Sequence, residues 1–352
     1  MSNAGTGTTI DDALTLLRRY GPEFGEMRLA NHGPMAAEAL LTLNRAPEMI
    51  PWAESYAPRL EDRPRSSNPI DADAWRDALG QSHRVADWTA FFEAELARGS
   101  YQTVVESWIP RLLPGLAAAA AHGVIRVAHA VRSLDAGVSA PRTQELADGF
   151  GYWAASYFEL PGTPSDRVRA PSAALAEIPR VELSNRDGSI TARLKELGSH
   201  PRFQSGLEAA GPGDDASAFL SDLTATMARV YLANSAHGTT YDIAFIHAVT
   251  GPSAVRLLAP HLDAATTQVA LRYAWQVAAG IYAAYSDTPY GADSSSPTAP
   301  GREIDDIIDR AVATGDEHAI KFTEACLREH SIAPDPALLA AADLVAERLA
   351  PK

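Results

Sequence analysis

Through most of the chain apolar residues, alanine and leucine above all, return every three to four positions, and alternating runs of Val, Ile and Thr are scarce. That spacing fits the 3.6-residue turn of a helix with one buried stripe and not the two-residue repeat of a strand. The expected fold class is therefore all-α. No linker separates two complete patterns, so the expectation is a single large multi-helix domain over 1–352, with its core at about 10–349.

The periodic stretches place helices near Asp11–Tyr20, Pro34–Arg45, Val85–Arg98, Tyr101–Leu134 with a break around Pro110 and Pro114, and Pro141–Phe158. Further on they place helices near Ala216–Ala233, Tyr241–Ala259, Ala264–Tyr285, Arg302–Ala313, Asp316–His330 and Pro336–Leu349. Between the halves, Pro161–Ser189 is rich in Pro, Ser and Arg and reads as a long excursion over the surface. Ser286–Gly301, with Tyr290-Gly-Ala-Asp-Ser-Ser-Ser-Pro297, has the composition of a mobile flap, either a lid or a plain connector. No repeat of fixed period argues for a solenoid.

The net charge is −14, with Asp and Glu spread along the chain, so repulsion from phosphate argues against nucleic acid as a partner. The lone cysteine, Cys326, has no partner for an internal disulfide, and the chain does not open on a basic region followed by an apolar run. A cytoplasmic protein is the expectation. The weakly polar run Leu112–Ala121 is too short to span a bilayer and runs into His122, Arg126 and His129, so no membrane span is expected. An acidic all-α enzyme of this size is often a homodimer.

Several common chemistries have no sequence support. Gly5-Thr-Gly7 lies at the N-terminus with no strand before it, so neither NAD(P) nor FAD has a visible seat. There is no H-E-x-x-H, no G-x-S-x-G and no P-loop. None of the ten histidines has a glutamate three residues before it, which argues against a di-iron carboxylate centre.

The histidines themselves are the candidates, because neutral imidazole suits iron, copper, nickel or zinc and can converge from separate helices. Thr314 and Glu317 have the spacing of a capping box that would start a helix at Gly315, which sets His318 and Lys321 on one face. Lys321 is then either a solvent-facing lysine or, if buried, an amine able to take up carbon dioxide and present a carbamate oxygen. His122 and His129 share a face but lie about 10 Å apart along the axis, too far for one ion. His32 follows Asn31 just before a helix that Pro34 would open. His247 stands in the apolar Ile243-Ala-Phe-Ile-His-Ala-Val249, where a buried imidazole needs a metal or a carbonyl as partner.

In order, Asn31-His32, His122-Gly-Val-Ile125, Phe245-Ile-His-Ala-Val-Thr250 and Asp316-Glu-His-Ala-Ile-Lys321 resemble the signature stretches of the questin oxidase family. The resemblance spans about Asn31 to His330. Met35 and Arg126 stand where fungal members tend to carry histidines. The resemblance implies a non-haem iron oxygenase of aromatic polyketide pathways, with Fe(II) between helices on His32, His122, His247, His318 and a carboxylated Lys321. It leaves His83, His129, His200, His237, His261 and His330 as non-ligands.

The expected partners are a small aromatic, anthraquinone-like substrate and dioxygen, with the need for NADPH open. Tyr152, Trp153, Tyr273 and Trp275 are candidates for an aromatic wall, since planar rings stack on such faces. Two rival readings remain: a metal-free helical binding protein for an apolar small molecule, and a zinc-dependent hydrolase, which would use three protein ligands.

Overall fold

The computed structural model describes residues 9–26, 28–162, 167–184, 189–235, 238–291 and 299–351. Helices α1 (Ile10–Leu17), α2 (Gly33–Thr42), α3 (Ala46–Tyr56), α4 (Val85–Arg98), α5 (Tyr101–Leu112), α6 (His122–Ala136) and α7 (Ala140–Ala155) form the first half. Three short helices follow: α8 (Pro171–Ala174), α9 (Ile190–Glu196) and α10 (Pro201–Gly206). The second half is α11 (Ala216–Asn234), α12 (Thr239–Leu258), α13 (Ala264–Tyr285), α14 (Ile304–Ala313), α15 (Glu317–Ile332) and α16 (Pro336–Arg348). The only described sheet is a two-stranded hairpin, Glu23–Phe24 with Leu29–Ala30. The fold is all-α, as the periodicity implies.

Polar caps set where these helices begin. Side chains of Ser100, Ser139, Asp215, Asp263 and Asp335 accept backbone N–H groups in the first turns of α5, α7, α11, α13 and α16. Each bond satisfies a donor that the helix itself leaves without a partner. Two expectations at this level need correction. The break falls at Pro114 as expected, within Leu113–Ala121, where Ala119, Ala120 and Ala121 all take left-handed backbone angles, but Pro110 does not break α5 and sits in its last turn. The start of α15 is capped by Asp316, whose Oδ1 accepts from His318 and Ala319 N–H, and the helix begins at Glu317 and not at Gly315.

Helix α12 lies at the centre, packed on α6, α11, α13 and α15. Thr239–His261 is the described segment long and apolar enough to cross a membrane by composition, and 72% of its apolar window is buried by the surrounding helices. One large core joins α4 to α16, with Trp88, Trp108, Trp153 and Trp275 fully buried in it. A second, smaller core lies under α1, α2 and α3 and reaches Ile308 of α14 and Ile320 of α15. Helices α2 and α15 therefore stand between the two.

The segment after α7 is not a free excursion. Leu175, Ile178 and Leu183 are buried in the large core, and Val181 N–H donates to Ala283 O at 2.8 Å. Of the flap, residues 292–298 lie outside the described residues. Its base is pinned by Asn234 Oδ1, which accepts from Asp287 and Thr288 N–H, and by Tyr282 Oη, which accepts from Tyr290 N–H.

Candidate metal centre

Four mutually packed helices form a ring, α2 on α6, α6 on α12, α12 on α15 and α15 on α2, and each brings one histidine to the middle. His32 sits at the N-cap of α2. Asn31 fixes the approach: its Oδ1 accepts from Gly33 N–H at 3.0 Å and its Nδ2 donates to Gly21 O at 2.9 Å. The backbone N–H of His32 donates to Tyr56 Oη at 2.9 Å. His122 opens α6, His247 lies inside α12 and His318 falls in the first turn of α15.

Neighbouring imidazole centroids are 4.6 Å apart for His32 and His122, 4.3 Å for His122 and His247, 5.7 Å for His247 and His318, and 4.7 Å for His318 and His32. One nitrogen of each ring lies within 4.8 Å of those of the other three, and all four residues are buried. Lys321, one turn beyond His318, is only 4% exposed.

The rings are aimed by their outer nitrogens. His122 Nδ1 is bonded to Ala119 O, and His247 Nδ1 to Ile243 O at 2.7 Å. His318 Nδ1 lies 3.3 Å from Asp316 Oδ1. A ring whose Nδ1–H is spent on an oxygen turns a bare Nε2 lone pair inward, the tautomer a metal needs. The left-handed turn at Ala119, Ala120 and Ala121 has φ of 47°, 56° and 67° and is what brings the Ala119 carbonyl back under the His122 ring. Such angles cost an alanine about 1–2 kcal/mol each, so the turn is held by what surrounds it.

Burial first, and then the nearby positive charges of Lys321 and the other imidazoles, hold His32, His122 and His247 well below the usual histidine range. These three imidazoles are neutral at physiological pH. Burial also pulls the Lys321 ammonium down to about 7, with Glu317 and Asp316 pulling the other way.

The residues present fit a metal ion. His122 and His247 turn bare Nε2 lone pairs toward each other at 3.1 Å. That contact is repulsive unless a cation lies between the two. Nitrogens bound at about 2.1 Å and at right angles around one ion sit about 3 Å apart, which is the spacing of this pair. An all-imidazole set suits iron, copper, nickel or zinc, and Cys326 is not part of it.

The other sequence candidates are placed elsewhere. Trp153 and Trp275 are fully buried, with indole N–H groups donating to Gly115 O and Leu207 O at 2.9 and 3.1 Å. Trp153 packs against Gly123, the residue after His122, and so backs the centre. Tyr152 is buried with its hydroxyl 3.5 Å from Arg28 O, and Tyr273 is partly buried at the edge of the large core. His129 donates to Glu38 at 2.7 Å, His330 bonds Asp335, and His261 pairs with Asp135, so these three are engaged away from the centre. His237 lies outside the described residues. Arg126 is bound to Glu145 at 2.6 Å and Met35 is core, so neither adds a ligand.

Sequence reasoning missed Tyr56, Arg59 and Glu317. Tyr56 and Arg59 belong to α3 and the turn after it, a helix hidden by Pro47 and Pro51. Glu317 was assigned to a cap with Thr314, whereas both its oxygens are held by Arg59.

Four buried imidazoles with convergent nitrogens, beside a buried lysine, form a centre that could hold a metal ion inside an all-α fold. The questin oxidase-like family model matches residues 30–140 and 208–326, most of the chain and all five candidate ligands, and the chain belongs to that family of oxidoreductases. No curated protein matches the chain.

Proposed function

We propose that the protein is a non-haem Fe(II)-dependent oxygenase that uses dioxygen to oxidise or cleave an electron-rich aromatic ring of the anthraquinone type, derived from a polyketide. The observation that carries this reading is the set of four buried imidazoles with convergent nitrogens, fed from four helices of a family of oxidases. His32, His122, His247 and His318 would hold the ion, with Lys321 as a fifth ligand. Iron, when bound, supplies the means of activating dioxygen toward an electron-rich ring.

The chain's own residues do the rest. The Ala119 and Ile243 carbonyls fix the tautomers of His122 and His247, Asp316 Oδ1 stands 3.3 Å from His318 Nδ1, and the surrounding core excludes water. The free amine of Lys321, favoured by its burial, can add to carbon dioxide. An N–C bond forms, one proton leaves, and a carbamate oxygen faces the centre in place of a cation. That change replaces positive charge among the imidazoles with negative charge, which favours a bound cation. Electrons beyond those of the substrate would come from a partner reductase or NADPH, for which the sequence shows no dinucleotide fingerprint.

Elemental analysis of protein purified without added metal, and again after anaerobic Fe(II) loading, tests this beside a His318→Ala variant. About one iron per chain, lost in the variant, is expected, with oxygen uptake on a panel of polyphenolic quinones. A carbamate signal from ¹³C-bicarbonate that disappears in Lys321→Met would place the modification. If both proteins stay metal-free after loading, the oxygenase reading fails and the metal-free binding protein takes its place. Zinc in place of iron, with no oxygen uptake, would make it a hydrolase.

A further inference from the structure

Three of the four imidazoles have an oxygen opposite the ring nitrogen that faces away from the centre; His32 does not. Its Nδ1 is buried without a hydrogen-bond partner, while its Nε2 lies 2.7 Å from His122 Nε2. The nearest acid is Glu317, with Oε1 4.0 Å from His32 Nδ1, about 1 Å beyond hydrogen-bond reach. Glu317 is 3% exposed, and Arg59 grips both its oxygens at 2.9 and 3.0 Å.

We propose that Glu317, clamped by Arg59, is the positioning residue that fixes the tautomer and orientation of His32 when the centre holds its metal. The inference rests on the metal reading above. His122 Nε2 is a bare acceptor, because its own hydrogen is spent on Ala119 O. His32 can meet it in two ways: with its ring hydrogen on Nε2, which leaves Nδ1 an acceptor facing the Glu317 carboxylate, or with a bare Nε2 turned to a shared cation. Coordination through Nε2 requires the ring hydrogen to sit on Nδ1, with no change in net charge. Nδ1–H then has Glu317 to donate to. A carboxylate behind an imidazole makes it a more basic and better fixed ligand. Glu317 is not itself offered as a ligand, since Arg59 occupies both oxygens, and Asp316 beside it is spent on the cap of α15.

Anaerobic titration with Co(II), whose visible bands report both affinity and coordination, tests this on the wild type and on Glu317→Ala, Glu317→Gln and Asp87→Asn. Asp87 is a buried acid of α4, outside the four histidine-bearing helices, paired with Arg84 at 3.1 Å, and serves as the structural control. The wild type is expected to take up about one Co(II). Glu317→Ala should bind about 10–100-fold more weakly at unchanged stoichiometry with a shifted band. Glu317→Gln, whose side-chain oxygen still accepts from Nδ1–H, should weaken binding less, and Asp87→Asn should match the wild type. Unchanged affinity and band in Glu317→Gln and, where it folds, Glu317→Ala would overturn the assignment. So would complete loss of stoichiometric binding in a folded Glu317→Gln protein, which would make Glu317 a ligand. A wild type that binds neither Co(II) nor Fe(II) sinks the metal reading itself and this inference with it.

Discussion

Lys321 is a lysine kept out of water by the two cores that meet at α15, and burial pulls its amine down to about 7, so that a large share is unprotonated at physiological pH. Burying an amine costs free energy that the fold must recover elsewhere. Replacing it with methionine, similar in length and apolar, removes that cost. Lys321→Met is therefore expected to raise the unfolding midpoint of the metal-free protein, by a stabilisation on the order of a few kcal/mol, while lowering metal content and oxygen uptake. A midpoint that falls instead would mean that the amine makes a favourable contact in the folded state. The sequence marked Lys321 and His318 by their spacing on one helical face, but not the burial that changes the lysine's chemistry. Burial depends on α2 packing over α15, which no local pattern encodes.

At the scale of elements, position is set by close approach. Helices α4, α6 and α7 stack through glycines: a Cβ on Gly151 of α7 would lie 2.8 Å from Thr89 N of α4, and one on Gly123 of α6 would meet Trp153 Cγ at 2.6 Å. Because Gly123 follows His122, the packing of α7 also sets the depth of the His122 ring. Gly151→Ala should cost about 1–3 kcal/mol, the usual penalty for overpacking. The denaturant midpoint would fall with an unchanged m-value; an unmoved midpoint would show that the two helices can separate freely. Val85–Arg98 and Ala264–Tyr285 were readable to the residue because an apolar stripe runs unbroken between polar ends. Helix α3 was not, because its prolines imitate a loop, and the α15 cap was misplaced because Thr314 and Asp316 both offer a capping oxygen.

Across the whole molecule a chain of buried charges ties four helices together. Arg132 of α6 pairs with Glu38 of α2 and Glu324 of α15; Arg328 joins Glu324 to Glu329, and Glu329 pairs with Arg256 of α12. The same four helices carry the histidines, so this chain of ion pairs locks the ring that builds the centre. Burial alone would raise the Glu324 carboxyl, but Arg328 and Arg132 outweigh it and hold it well below the usual range. A depressed folded value means stability that is fully present above the ordinary glutamate value of about 4.3 and is lost as pH falls below it. Acid unfolding should therefore set in from about pH 4 downward. Arg132→Met, which leaves Glu324 only Arg328 and Glu38 only His129 as charged partners, should cost about 1–3 kcal/mol at neutral pH and flatten the acid limb. Thermal melts of both proteins across pH would show it, and identical melts at neutral pH would refute it. The sequence by itself determined the helical class, most helix limits and the residue types able to hold a metal, because periodicity, caps and imidazole chemistry are local. The family resemblance grouped His32, His122, His247 and His318, but only the tertiary structure brings their nitrogens within 4.8 Å, makes Lys321 dry and lets Arg59 reach Glu317. Those facts follow from how distant helices pack, and packing is fixed by shape and burial over the whole core.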